Sequence, residues 1–146
     1  MSFLFESHPE KQSTGITILR IVTGIVFLMH GWQKVFTFGF GGVTGAFTHM
    51  GIPMPGVIGP LVGVLELLGG AALIVGFLTR LAALGFTADM LGAIFFVHLK
   101  HGFFAPMGVE LPLMLLTAAV ALLVAGAGRY AVDNNIARRQ ATAPTP

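Results

Sequence analysis

The chain has 146 residues, 55% of them hydrophobic and only 10% charged, with a mean hydropathy of +0.86. A water-soluble domain carries about a quarter charged residues, so this composition excludes a water-bathed globule and makes lipid the solvent. The net charge is only +2, which gives no ground for nucleic-acid binding, and the absence of cysteine excludes disulfides, thiol nucleophiles and thiolate-held metals.

Residues 1–13 are mixed in character and read as an interfacial segment. The first apolar stretch, 16–36, approaches the ~20 residues a bilayer requires. It exceeds the ~7–15-residue apolar region of a cleavable signal peptide, so a retained transmembrane helix is expected. Residues 38–56, FGFGGVTGAFTHMGIPMPG, are rich in glycine, phenylalanine and proline. They are expected to form a partly buried loop or re-entrant segment instead of a regular spanning helix. Further spans follow at 57–78, 81–99 and 109–125, with a tight turn GFLTR at 76–80 and a link over 101–108. The tail 134–146, ending in ATAPTP, is expected to be disordered. The fold class is thus an all-α integral membrane protein, a four-helix up-down bundle over residues 14–133.

Lys11, Arg80, Arg129, Arg138 and Arg139 fall at one end of this bundle, and Lys34 and Lys100 at the other. The positive-inside rule then places both termini in the cytoplasm of a multi-pass inner-membrane protein.

Three ionisable residues stand deep within the spans, away from their outer ends. Glu66, in VLELLGG, and Asp89 fall near the bilayer midplane, and Arg20 lies in the cytoplasmic half of the first helix. Such a charge costs about 2.5–3.5 kcal/mol on insertion scales, so it is expected to face the bundle interior and find a partner. At helical spacing Glu66 shares a face with Gly59, Gly63 and Gly70, and Asp89 with Gly85 and Gly92. Arg20 shares one with Gly24, Gly31 and Lys34. Small residues let helices approach closely in lipid, and these faces are also candidates for a homodimer contact.

Arg20 is the expected partner of Glu66. The second acid then requires Lys34, a protonated histidine, or a proton of its own. The pair reads either as a structural lock between helices or as a proton-handling site. His30 and His98 lie toward the outer ends of their helices and, with Lys34, form a candidate polar mouth for substrate or cofactor. His49, His101 and Glu110 form a further outer-face polar cluster. Their spacings match no metal or haem motif, and neither group is expected. Trp32 and the surrounding phenylalanines suit either an interfacial aromatic belt or an apolar slot for a quinone.

Laid out in this way, the chain resembles the DoxX family of small bacterial membrane proteins. The likeness runs through LRIVTGIVFLMHGWQKVF, VLELLGGAALIVGFLTRLAAL, DMLGAIFFVHLKHGFF, GVELPL and GAGRYAVD, in that order. The family pattern falls on Arg20, Gly24, Gly31, Lys34, Glu66, Gly70, Arg80, His98, Glu110 and Asp133. Ala127 and Ala131-Val132-Asp133 depart from the GPGR-like ending and Ser-Leu-Asp of relatives. The resemblance implies the fold and a membrane location. It further implies a link to quinone-dependent redox or oxidative-stress systems, since the family is similar to the membrane subunit of thiosulfate:quinone oxidoreductase.

The leading expectation is a membrane component of a redox system. It would bind quinone in an interior pocket, act beside a soluble or membrane oxidoreductase, and use Glu66, Asp89 and Arg20 as catalytic candidates. A non-enzymatic scaffold for such an oxidoreductase, and a small proton-coupled transporter working as a dimer, remain as alternatives.

Overall fold

The computed structural model describes residues 8–141 and is built of helices throughout. Residues 1–7 of the expected interfacial segment and the final TAPTP lie outside the described residues. In chain order the helices are α1 (Pro9–Trp32), α2 (Gly39–His49), α3 (Pro55–Val75), α4 (Thr79–Ala93), α5 (Glu110–Ala125) and α6 (Val132–Ala141). A π-helical turn, Gln33–Phe38, joins α1 to α2, and a second, Ile94–His98, extends α4. Three helical stretches are long and apolar enough to cross a membrane, and α5 is a shorter apolar helix.

The outer surface shows why lipid is required. Ile18, Val22, Ile25 and Met29 on α1, Leu61, Leu68 and Val75 on α3, and Leu84 and Leu91 on α4 are all exposed. In water, apolar patches of this extent would drive association. In a bilayer they are the ordinary outer face of a spanning bundle.

Packing inside is of two kinds. Between α1 and α3 the backbones touch: a Cβ on Gly31 would collide with the Leu67 backbone, and one on Gly70 with that of Leu28. On Gly24 it would lie 2.8 Å from the Gly70 carbonyl oxygen. Hydrocarbon tails offer no hydrophobic drive for helix association, so close contact between small residues supplies the packing. The glycine faces of α1 and α3 thus cover each other, whereas Gly92 on α4 has nothing within 4 Å of where its Cβ would lie. The second kind is a side-chain core of Phe27, Leu73, Ala83, Phe86, Met90, Ala119 and Leu122. At its centre Phe27 stacks on Phe86 with ring centroids 3.7 Å apart and planes 5° from parallel.

Two sequence expectations are corrected. Residues 39–49 form a helix, not a loop; α2 lies against the start of α3, where Val43 is buried and a Cβ on Gly59 would meet its side chain at 3.2 Å. Tertiary cover satisfies a glycine-rich segment whose local helix propensity is poor. Only Gly39, with φ 68°, breaks the path between the π-helical turn and α2. Likewise, the tail expected to be disordered from residue 134 is helical through Ala141. Asp133 and Asn134 anchor its start: Asn134 Nδ2 donates to the Gly128 carbonyl at 2.7 Å.

Candidate functional site

The ionisable residues sort into two groups, one near each end of the bundle. Arg20 belongs to the first. It is fully buried, and its guanidinium donates from Nη1 to the carbonyls of Leu73 and of Ile74 (3.1 Å), and from Nη2 to that of Tyr130 (3.0 Å). The C-terminal carbonyls of a helix lack intrahelical donors and carry the negative end of its dipole. Arg20 supplies that missing cation and ties α1, the end of α3 and the segment before α6 together.

Asp133 mirrors it. Its carboxylate accepts the N–H of Leu78 (2.7 Å) and of Thr79 (2.9 Å), which lie at the start of α4. Its own N–H donates to the Gly76 carbonyl at 2.9 Å. The turn it clamps contains Gly76 at φ 73° and Leu78 at φ 49°, both left-handed. A non-glycine residue there costs about 1–3 kcal/mol, and the Asp133 cap offsets part of that. The single proton of Thr17 Oγ1 has two carbonyls in reach, those of Ser13 (3.0 Å) and Arg129 (3.1 Å), completing the brace.

The expected Arg20–Glu66 pair therefore does not form. Arg20 reaches the helix end, while Glu66 is paired from the other direction by Lys34, Nζ to Oε2 at 2.5 Å. Lys34 sits in the first π-helical turn, and a Cβ on the neighbouring Gly63 would lie 3.4 Å from the Lys34 Cβ, so the ammonium reaches Glu66 from close range. Asp89, on α4, has an Oδ2 that is buried without a donor. His30 stands in the last turn of α1.

These groups border a cavity of about 750 Å³ in the half of the bundle away from Arg20. His30 and Lys34, Glu66 and Asp89, and His98 in the second π-helical turn supply its polar lining. Its apolar lining includes Phe27, Phe47, Ile58, Leu61, Val62, Phe96 and Leu115. Ligand sites have this character, mostly apolar with a few convergent polar groups. Helical π turns recur at functional sites, and here one lies on either side of the cavity. His98 Nδ1 donates to the Met107 carbonyl at 2.7 Å, since a carbonyl can only accept. In the neutral ring this leaves Nε2 as an acceptor.

The structure thus gathers Glu66, Asp89, His30, Lys34 and His98 at one cavity and leaves Arg20 out of it. His49, His101 and Glu110 do not line it, and among the described residues no three His, Asp or Glu side chains come together as a metal set. Reading by sequence missed Asp133 as the helix clamp and the cavity walls formed by Phe96 and Leu115. Asp133 had a signal in its position after GAGRYAV, just beyond the last span. The apolar walls had none, because lipid-facing and cavity-facing side chains are chemically alike.

Comparison with known proteins decides the family. A profile described as DoxX matches residues 15–99. The chain belongs to the DoxX family. It is 32% identical over 120 residues to the "Putative oxidoreductase CatD" of Bacillus subtilis, covering 82% of this chain and 84% of the relative. It is 34% identical over 127 residues to "Inner membrane protein YqjF" of Escherichia coli, covering 84% and 92% respectively. A further relative is a membrane protein of Mycobacterium tuberculosis, Rv3486, 33% identical over 143 residues and covering 90% and 86%. No solved structure gives a significant match. This DoxX protein is accordingly a multi-pass membrane protein, and the matched segment carries both Lys34 and Glu66–Asp89.

Proposed function

We propose that this DoxX protein is the membrane component of a quinone-linked redox system and binds a quinone ring in the cavity bordered by Lys34, Glu66 and Asp89. The single observation that supports it most is the Lys34–Glu66 pair at the wall of a mostly apolar cavity that Asp89 also lines. The name of the Bacillus relative, an oxidoreductase, points the same way.

The residues suit such a ligand. A quinone supplies two-electron chemistry that takes up two protons on reduction, with the electrons coming from an oxidoreductase partner. The Lys34 ammonium and His30 can donate to a ring oxygen, while apolar walls take the ring faces. One ammonium beside two acids leaves room for one exchangeable proton on the Glu66–Asp89 pair, in a site from which bulk water is kept by lipid. Arg20 has no part in this chemistry.

Within the same proposal, both termini face the cytoplasm and the protein lies in the inner membrane. The clustering of Lys11, Arg80, Arg129, Arg138 and Arg139 near the Arg20 end supports this orientation. Single cysteines placed in this cysteine-free chain, tested with an impermeant thiol reagent on intact cells, check it.

The binding test is titration of the purified protein in lipid nanodiscs with a ubiquinone and a menaquinone analogue. Saturable binding is expected, weakened at least tenfold by Glu66→Gln and by Lys34→Met. Absence of saturable binding to the unmodified protein removes the quinone reading.

A further inference from the structure

The cavity has a second feature that its polar lining does not explain. Leu61 on α3 and Phe96 beyond α4 line it, yet they are 62% and 47% exposed. A side chain that both walls a cavity and stands on the molecular surface marks the place where that cavity opens. The two helices touch nearer the tight turn that joins them: a Cβ on Gly69 would meet the Phe86 ring at 2.8 Å, and one on Gly85 would meet Leu65 at 2.8 Å. Beyond that level Ile58, Leu61 and Val62 on one side and Gly92, Ala93 and Phe96 on the other form walls of the cavity, and Gly92 has no heavy atom within 4 Å of where its Cβ would lie.

Depth decides what the opening meets. Leu61 is five residues from Glu66 along α3, about 7.5 Å at 1.5 Å per residue. With Glu66 in the middle of a spanning helix, that remains inside the ~15 Å of hydrocarbon on either side of the midplane. Between α3 and the end of α4 the exposed lining residues, Leu61 and Phe96, are apolar, as is Leu111 on α5, whereas the exposed polar lining residue, His30, lies on α1.

We propose that the cavity is loaded sideways from the bilayer, through a slot between α3 and the end of α4 framed by Leu61 and Phe96. Its ligand is then a single-tailed, lipid-soluble molecule whose polar ring reaches Lys34 and Glu66 while its apolar tail lies in the slot. This rests on the reading that the cavity is a ligand site, and it deepens it by requiring a tail. It also accounts for the apolar excess of the lining, which a small hydrophilic substrate would leave without purpose.

The test does not depend on a quinone. The protein is placed in nanodiscs containing a fatty acid with a mid-chain diazirine, irradiated, and the adducts are mapped by mass spectrometry. Adducts are expected on the cavity walls, at Val62 and Ala93, as well as on the outward-facing Leu68 and Leu84. Leu61→Trp/Phe96→Trp is expected to lower the wall adducts at least tenfold and to leave those on Leu68 and Leu84 within twofold, which also reports that the variant is folded. Leu61→Ala/Phe96→Ala is expected to retain or increase the wall adducts. Adducts confined to Leu68 and Leu84, or wall adducts indifferent to the tryptophan pair, overturn the slot. Wall adducts that obey both variants in a protein that binds no quinone uphold the slot and remove the quinone reading alone.

Discussion

The two ends of the bundle use the same kinds of residue for opposite purposes. At one end Arg20 and Asp133 are bound to backbone groups: the cation to helix-terminal carbonyls, the anion to N–H groups at the start of α4. At the other, Lys34 and Glu66 are bound to each other, and Asp89 stands beside them at an empty space. At the first end the side chains are committed to backbone groups fixed by the fold, although the Arg20 Nε is left without a partner. A side-chain pair can exchange partners, because what one member releases the other or a ligand can take. The difference teaches that intramembrane charge marks function only where its partner is replaceable.

Substitutions can break this contrast, and their expected effects on stability fall in order. Arg20→Met strands several buried carbonyls at once and should cost about 3–5 kcal/mol, the scale of losing one side of a buried charged cluster. Its measure is the yield of extracted protein and the unfolding midpoint in detergent. Next comes Gly70→Ala, whose new methyl falls on the backbone of Leu28 and forces α1 and α3 apart. Overpacking of this kind costs about 1–3 kcal/mol, and a position facing backbone belongs at the upper end. Asp133→Ala uncaps α4 and should cost about 1–2 kcal/mol in the same unfolding assay, with Asp133→Asn losing less because one acceptor oxygen remains.

Glu66→Gln sharpens the comparison from the other side. Asp89 remains as a counter-charge for Lys34, so the stability loss should be about 1 kcal/mol or less, although quinone binding falls at least tenfold. A large stability loss with intact binding would instead make Glu66 a structural lock of the Arg20 kind. The smallest effect belongs to the exposed pair of Arg129 and Glu10, 3.3 Å apart. Glu10→Gln should shift the unfolding midpoint by less than about 0.5 kcal/mol in equivalent terms, as solvent-exposed pairs do.

Particular residues show how far the sequence could be read. The four apolar spans and the all-α fold follow from composition and segment length, since lipid admits few other spanning structures. The glycine spacing on α1 and α3 told correctly which faces meet, because a helix face is fixed by a local 3.6-residue period. Glu66 and Asp89 near mid-helix, and His30, Lys34 and His98 toward the outer helix ends, were read from the same count, and all five line the cavity. The wrong pairing of Arg20 with Glu66 arose because counting gives depth but not reach. Residues 39–49 were misread because glycine content reports local propensity, and α2 is held by its contact with α3.

The sequence by itself determined the solvent, the all-α fold, the faces by which α1 and α3 approach and the membership of the DoxX family. These are properties of composition and of short-range periodicity, which a chain carries without folding. Only the tertiary structure decided which acid meets which base, that α3 and α4 part above Phe86 to leave a cavity, and that Arg20 serves the frame instead of the site. Those depend on where helices far apart in the chain cross, and the crossing is set by glycine contacts and aromatic stacking acting together.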